Sequence, residues 1–178
     1  AYVFVRNTAI WSQQAYLKAS NTDVGDYFGI SVAISGDTIV VGAYGEDSNS
    51  TGINEDQSNN SAYSSGAAYV FVRNAGVWSQ QAYLKASNTN TNDHFGNSIA
   101  ISGNTIVVGA VLESSNATGI DGDQSDNSAS ESGAVYVFVR NEGVWFQQVY
   151  LKASNSVQFD YFGRSLTISG DTIVIWAI

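Results

Sequence analysis

The stretch AYVFVRN at Ala1–Asn7 returns as AYVFVRN at Ala68–Asn74 and as VYVFVRN at Val135–Asn141. Successive copies begin 67 residues apart, and a long fixed period is typical of proteins built from a repeated structural unit. The segments that follow each copy align without any insertion. The period therefore predicts a single repeat region over residues 1–178, divided into repeat 1 (1–67), repeat 2 (68–134) and a partial repeat 3 (135–178).

Each repeat is predicted to form four short β-strands. YVFVR places Tyr2 and Phe4 on one face and Val3 on the other, which is the alternation expected of a strand. SVAIS and TIVVGA are separated by Gly36-Asp37, a dipeptide suited to a tight hairpin turn. No segment shows the spacing of an amphipathic helix, so the sequence predicts an all-β protein. Four antiparallel strands repeated radially describe the blade of a β-propeller.

Two recurring dipeptides, Phe-Gly and Gly-Ala, resemble those of a known family. A Phe-Gly pair precedes a predicted strand in every copy: Phe28-Gly29, Phe95-Gly96 and Phe162-Gly163. A Gly-Ala pair follows later in two copies, as Gly42-Ala43 and Gly109-Ala110. This arrangement resembles the FG-GAP repeat of integrin-type β-propellers, including bacterial members. The resemblance implies a β-propeller of four-stranded blades, and a secreted or cell-surface location.

The calcium loop of that family is reduced here to SGDT or SGNT, so its metal site is not assigned to Asp37, Asn104 or Asp171. The excess length of each repeat lies instead in Tyr44 to Ala67 and Val111 to Ala134, which are rich in carboxylates and amides. Such oxygens are ligands for Ca²⁺. The calcium hypothesis names eight residues: Asp47, Asn49, Asn54, Asp56, Asn116, Asp121, Asp123 and Asp126. The alternative is that these residues form ordinary solvated turns.

Other recurring residues are expected to be structural. Asp26, Asp93 and Asp160 each stand two residues before the Phe of Phe-Gly, and we expect them to accept hydrogen bonds from backbone amides of a turn. Trp11, Trp78 and Trp145 also recur. We expect them to pack between neighbouring blades, while exposed platforms for sugars are the alternative. His94 aligns with Tyr27 and Tyr161, which favours an aromatic packing role over catalysis.

Composition excludes several classes of function. The net charge of −9 has the wrong sign for a nucleic-acid partner. No apolar run approaches the length of a membrane span, so no membrane insertion is expected. The chain contains no cysteine, which removes disulfides and thiol chemistry.

The strand order predicts incomplete blades at both ends of the chain. It reads as two strands, two complete sets of four, and two more strands, so AYVFVRN would be the third strand of a blade. Three blades cannot close a ring, because propellers have typically four to eight. One solution is a homo-oligomer in which two chains share blades and close a six-bladed ring, and an open filament is another. The remaining alternative is a fragment of a longer propeller.

The sequence thus favours a non-enzymatic, extracellular or cell-surface module for binding or adhesion, stabilised by calcium in the long loops. Its ligand would be an extracellular protein or a glycan. Two alternatives are a self-assembling structural protein and a lectin-like, carbohydrate-binding propeller. Hydrolysis at the central channel has only scattered carboxylates in its favour. The fold alone does not decide between these functions.

Overall fold

A computed structural model describes residues 1–178 and confirms the all-β prediction. The chain contains 12 strands and no helix that could cross a membrane. The strands are β1 (Tyr2–Asn7), β2 (Ile10–Tyr16), β3 (Val32–Ser35), β4 (Thr38–Ala43), β5 (Ala67–Asn74), β6 (Val77–Leu84), β7 (Phe95–Ser102), β8 (Thr105–Ala110), β9 (Ala134–Asn141), β10 (Val144–Leu151), β11 (Leu166–Ser169) and β12 (Thr172–Ile175).

These strands form two complete blades and two half-blades. The first complete blade has the order β3-β4-β5-β6, and the second has the order β7-β8-β9-β10. The half-blades are the pairs β1-β2 and β11-β12. All neighbouring strands are antiparallel. Because β1 carries the sequence of β5 and β9, it is the third strand of a blade, as the repeat predicts.

Tight turns join the strands on one side of each blade. Gly36 and Gly103 occupy the β3-β4 and β7-β8 turns with φ of 56° and 58°, a left-handed conformation that glycine adopts without steric cost. The chain crosses between blades and makes its longest loops at the opposite ends of the strands. The molecule therefore has a short-turn face and a long-loop face.

Hydrophobic residues pack between the sheets. Between the two complete blades, Val70 and Leu84 belong to one buried cluster with Phe95, Ile106 and Tyr136. A second cluster lies between the β1-β2 half-blade and the first complete blade. Each complete blade thus packs against other residues on both of its faces. Strand β4 of the first blade and strand β8 of the second are therefore almost entirely buried.

The Phe-Gly and Gly-Ala dipeptides meet at the blade interface. A side chain at Gly42 would overlap the carbonyl oxygen of Gly96 in the next blade, and Gly109 has the same relationship to Gly163. The Ser31 hydroxyl also donates to the Gly96 carbonyl at 2.6 Å. The backbones approach so closely that only glycine fits at these positions.

Candidate functional site

The two long loops cover residues 44–66 and 111–133, and each is attached to its blade by a buried lysine. In the first loop, Lys85 Nζ lies 2.9 Å from Glu46 Oε2 and donates to Ser65 Oγ at 2.7 Å. The Lys85 and Glu46 side chains are 0% and 2% exposed. Because Lys85 directly follows β6, it ties the loop to the outer strand of the blade.

The same glutamate connects the loop to the preceding half-blade. Glu46 Oε1 accepts hydrogen bonds from the Tyr83 hydroxyl at 2.8 Å and from Asn21 Nδ2 at 3.0 Å. The Asn21 side chain in turn accepts a bond from the Tyr69 hydroxyl at 2.7 Å. Since Asn21 lies beyond β2, this group of side chains joins two neighbouring sheets.

The second loop repeats this anchor 67 residues later. Lys152 Nζ lies 2.9 Å from Glu113 Oε2 and 2.6 Å from Ser132 Oγ. Asn88 Nδ2, from the preceding blade, donates to Glu113 Oε1 at 2.8 Å. One difference is that the hydroxyl of Tyr150 pairs with Ser115 Oγ. We call each set the loop anchor, and its members are Asn21, Glu46, Ser65, Tyr69, Tyr83 and Lys85 in the first, and Asn88, Glu113, Ser132, Tyr136, Tyr150 and Lys152 in the second.

Burial sets the electrostatics of the loop anchors. Loss of water lowers the pKa of Lys85 and of Lys152, and the glutamate beside each lysine opposes that change. Burial and the charge of Glu46 raise the pKa of Tyr83, so its hydroxyl remains a donor. The paired charges and the hydroxyls satisfy one another, as buried polar groups must. The anchors therefore fix the loops to the blades.

Each loop also pairs with the last residues of the outer strand of its blade. Asn54 N donates to Tyr83 O at 2.8 Å, and Asn54 Oδ1 accepts from Tyr83 N at 2.9 Å. Asp121 makes the corresponding two bonds with Tyr150, both at 2.9 Å. An uncovered edge strand invites pairing with another chain. These two candidate calcium ligands thus pair with the backbone of β6 and β10.

The other candidate calcium ligands lie along the loops without converging. Three carboxylates of this set cap local turns: Asp56 Oδ1 accepts from Ser58 N, Asp123 Oδ1 from Ser125 N and Asp126 Oδ1 from Ser128 N. Asp47 Oδ1 accepts from Ser64 N, near the other end of the same loop. Asn49 and Asn116 are exposed. No group of three or more His, Cys, Asp or Glu side chains is arranged to hold a metal ion. Calcium binding stays a prediction, which would require backbone, amide or water oxygens as further ligands.

The predicted role of the recurring aspartates is confirmed. Asp26 Oδ2 accepts from Asp23 N at 2.8 Å, and Asp93 Oδ2 accepts from Asn90 N at 2.7 Å. Asp160 makes the same bond with Val157 N at 2.7 Å. Burial, aided by the charge of Glu113, raises the pKa of Asp93 to about 7.

The tryptophans of the two complete blades pack between sheets, as predicted. Trp78 Nε1 donates to Gln14 of the preceding half-blade at 2.8 Å, and Trp145 Nε1 donates to Gln81 of the preceding blade at 2.9 Å. Trp11 is 66% exposed because no sheet lies on that side of it. Trp78 is half-buried and Trp145 is buried, so both side chains contribute to packing between sheets.

His94 takes the aromatic packing role that its alignment predicts. Its ring centroid lies 4.7 Å from that of Tyr44. Tyr44 also stacks on Tyr27, the residue that corresponds to His94 in the first repeat.

Sequence reasoning missed the loop anchors. Glu46 and Glu113 lie among other acidic residues of the loops, and they recur at the repeat period together with Lys85 and Lys152. Glu55, an exposed acidic residue, has Gly122 at the equivalent position. The joint recurrence of an acidic and a basic residue at the repeat period is the sequence signal that could have identified the loop anchors.

Comparison with protein families identifies the repeat. The family model described as the FG-GAP repeat matches residues 11–71, 78–138 and 145–178. A search of curated proteins gives no match. The three matched segments cover most of the sequence and follow its 67-residue period, and the Phe-Gly and Gly-Ala pairs meet at the blade interface. The chain belongs to the FG-GAP repeat family.

Proposed function

We propose that this chain is a non-enzymatic binding or adhesion module of an extracellular or cell-surface protein, and that it binds its ligand on the long-loop face. One observation carries the proposal: each long loop is fixed by a buried Lys–Glu anchor while its outer residues remain exposed. A loop that is already ordered loses less conformational entropy when it binds a partner. FG-GAP repeats are typical of β-propellers that serve in binding, which supports the same conclusion.

The exposed part of the loops is polar with a few larger side chains. Glu55, Tyr63 and Asn127 are exposed, and none of their side chains makes a hydrogen bond within the chain. Aromatic and amide groups in such positions provide contact area and adaptable hydrogen bonds. An extracellular protein is therefore the ligand class we favour, and a glycan is the second.

The proposal contains no catalytic step. Glu46 and Glu113, the most buried acidic residues, are each bound to a lysine, and His94 packs among aromatic rings. Calcium is the proposed stabilising ion of the long loops. Asp56, Asp123 and Asp126 support it, because each carboxylate uses only Oδ1 in protein hydrogen bonds.

Arrays of purified extracellular-matrix proteins and of glycans test the proposal. A triple variant of the long-loop face, Glu55→Ala/Tyr63→Ala/Asn127→Ala, should reduce binding at least tenfold. The matched triple variant of the short-turn face, Asn74→Ala/Val77→Ala/Glu142→Ala, changes three exposed residues and should bind normally. Absence of binding on both arrays, or equal loss in both variants, would contradict the proposal.

A further inference from the structure

We propose that a polar cavity between the two complete blades, on the short-turn face, binds a carboxylate group. The source of the carboxylate is a small organic acid or an acidic side chain of a partner. This inference does not depend on the ligand of the long-loop face. It rests on the hydrogen-bond donors of the cavity, on its charge, and on one Asp-to-Asn difference between the repeats.

The cavity lies where the β3-β4 and β7-β8 turns meet the ends of β5 and β9. Its volume is about 390 Å³, within the range of about 300–1,000 Å³ typical of small-molecule sites. Every residue that lines it belongs to one of the two complete blades, and only one of them is hydrophobic. The polar side chains of the lining include Ser35, Asp37, Arg73, Gln81, Asn104 and Arg140. The cavity is therefore suited to a polar ligand.

The guanidinium group of Arg140 is fixed by its neighbours within the chain. Asn104 Oδ1 accepts from Arg140 Nε at 3.0 Å and from Nη2 at 2.8 Å. The guanidinium carbon lies 5.0 Å from the ring centroid of Trp145, a residue that is 4% exposed. Nη1 makes no hydrogen bond within the chain. Arg140 is thus an ordered cation with donor capacity left over, and little side-chain entropy is lost when such a group binds a ligand.

The charge of Arg140 has no counter-charge, unlike that of its equivalent in the first blade. Arg73 Nε donates to Asp37 Oδ1 at 2.7 Å, and the two residues form an ion pair. The second blade has Asn104 in the place of Asp37, and this amide accepts similar bonds without a charge. Asp171, in the next hairpin, makes no ion pair with Arg140. The cavity therefore contains two guanidinium groups and one carboxylate.

Two further side chains of the cavity offer donors. Gln81 Oε1 accepts from Trp145 Nε1 at 2.9 Å, which leaves the amide nitrogen of Gln81 as a donor. Ser35 Oγ accepts from Gly103 N at 3.0 Å, which leaves its hydroxyl hydrogen. Neither donor has an acceptor within the chain. Since the acceptor atoms of both side chains are already used, the matching ligand supplies acceptor oxygens.

A carboxylate is the anion that these donors favour. The planar guanidinium fork of arginine matches the two oxygens of a carboxylate, and the first blade contains such a contact between Arg73 and Asp37. The net charge of −9 opposes anion binding, but charges separated by more than about 10 Å are largely screened at 0.1 M salt. Nine of the 16 acidic residues lie in the long loops, on the opposite face. The local charge of the cavity therefore decides.

Nuclear magnetic resonance of the 15N-labelled chain tests the site, with sodium acetate as the probe. Sodium chloride keeps the ionic strength constant during the titration. The backbone amide signals of Gly103 and Asn104 should shift and saturate at millimolar acetate. Arg140→Lys should weaken binding about tenfold or more, because lysine keeps the charge but lacks the planar fork. Absence of a saturable shift in the unmodified chain would overturn the proposal.

Two substitutions exchange the natural difference between the repeats. Asn104→Asp supplies the internal carboxylate found at Asp37 and should weaken acetate binding about tenfold or more. Asp37→Asn removes the acid of the cavity and should strengthen binding several-fold. Asn127→Asp makes the same charge change as Asn104→Asp at an exposed residue of a long loop and should leave the affinity unchanged. Equal affinity in Asn104→Asp and the unmodified chain would contradict the role of Arg140.

A blocked peptide distinguishes the two sources of the carboxylate. N-acetyl-Gly-Asp-Gly-amide has one carboxylate and no terminal charge. Tighter binding of this peptide than of acetate would assign the site to an acidic side chain of a partner, and equal or weaker binding would assign it to a small organic acid. N-acetyl-Gly-Asn-Gly-amide is the control and should not bind. Equal binding of both peptides would show that the site does not recognise a carboxylate.

Discussion

Lys85 Nζ lies 2.9 Å from Glu46 Oε2 with both side chains removed from solvent, and Lys152 repeats that contact with Glu113 in the next blade. A buried ion pair is not in itself a large source of stability, because both charges lose their hydration. Removal of one partner is costly, since it leaves the other charge buried and unpaired. The pairs therefore fix where the long loops lie.

Glu46→Gln should lower the free energy of unfolding by about 3 kcal/mol, the loss typical when one partner of a buried pair is removed. Asp37→Asn is the matched control, because Asp37 forms an exposed pair with Arg73 and Asn104 occurs naturally at the equivalent position. The control should change stability by less than about 1 kcal/mol. Urea unfolding at pH 7 measures both variants. Equal effects of the two substitutions would show that the Glu46 anchor is not important for stability.

Stability should fall as the pH rises from about 4 to 7, with a contribution from Asp93. Its pKa is raised to about 7 in the folded protein, mainly by burial, and is about 3.9 in an unfolded chain. Between these values the folded state binds more protons, so the free energy of unfolding decreases with pH. Asp93→Asn keeps the acceptor for Asn90 N and should make the profile flatter, as measured by urea unfolding at pH 5 and pH 8. Glu142→Gln, an exposed control, should retain the slope of the unmodified chain. An identical slope in Asp93→Asn would contradict the assignment.

Gly96→Ala should be more destabilising than Gly29→Ala. Both glycines have a positive φ, of 88° and 100°, so both variants incur the strain of a left-handed conformation, about 1–2 kcal/mol. Only at Gly96 would the new methyl group also overlap the carbonyl oxygen of Ala67 in the preceding blade. Overpacking of this kind adds about 1–3 kcal/mol. Thermal unfolding of the two variants gives the comparison, and a lower Tm for Gly29→Ala would contradict the role of Gly96 at the blade interface.

Calcium at millimolar concentration should raise Tm by about 3 °C or more if the long loops bind it, since a ligand of the folded state stabilises that state. A chelator should reverse the shift. Asp121→Asn keeps the oxygen that accepts from Tyr150 N and reproduces the natural Asn54 of the first loop. It should preserve Tm without calcium and reduce the calcium shift. No change of Tm with calcium would refute the ion hypothesis.

Most of the fold could be predicted from the repeat, because alternation and turn residues are local signals. They identify the strands, the Gly36 turn and the third-strand position of β1. The recurrence of Trp145 and Asp93 likewise predicted packing and a turn hydrogen bond.

The loop anchors could not be predicted in the same way. Glu46 and Lys85 are 39 residues apart, and whether they meet depends on how the loop crosses the end of the blade. Composition shows only a polar loop with several acids. Recurrence sets Glu46 apart from Glu55, but the burial of Glu46 against Lys85 is decided by tertiary structure. The eight candidate calcium ligands share that difficulty, because loop composition does not determine which oxygens converge.

The loop anchor recurs in both long loops and determines their path, whereas residues exposed to solvent differ between the loops. Glu46 and Ser65 have identical counterparts in the second loop, whereas exposed Tyr63 corresponds to Ser130. The outer segments of the two loops thus differ in sequence above anchors that share the same Lys–Glu pair. Adjacent blades can present different chemistry to a partner while the framework beneath them stays the same.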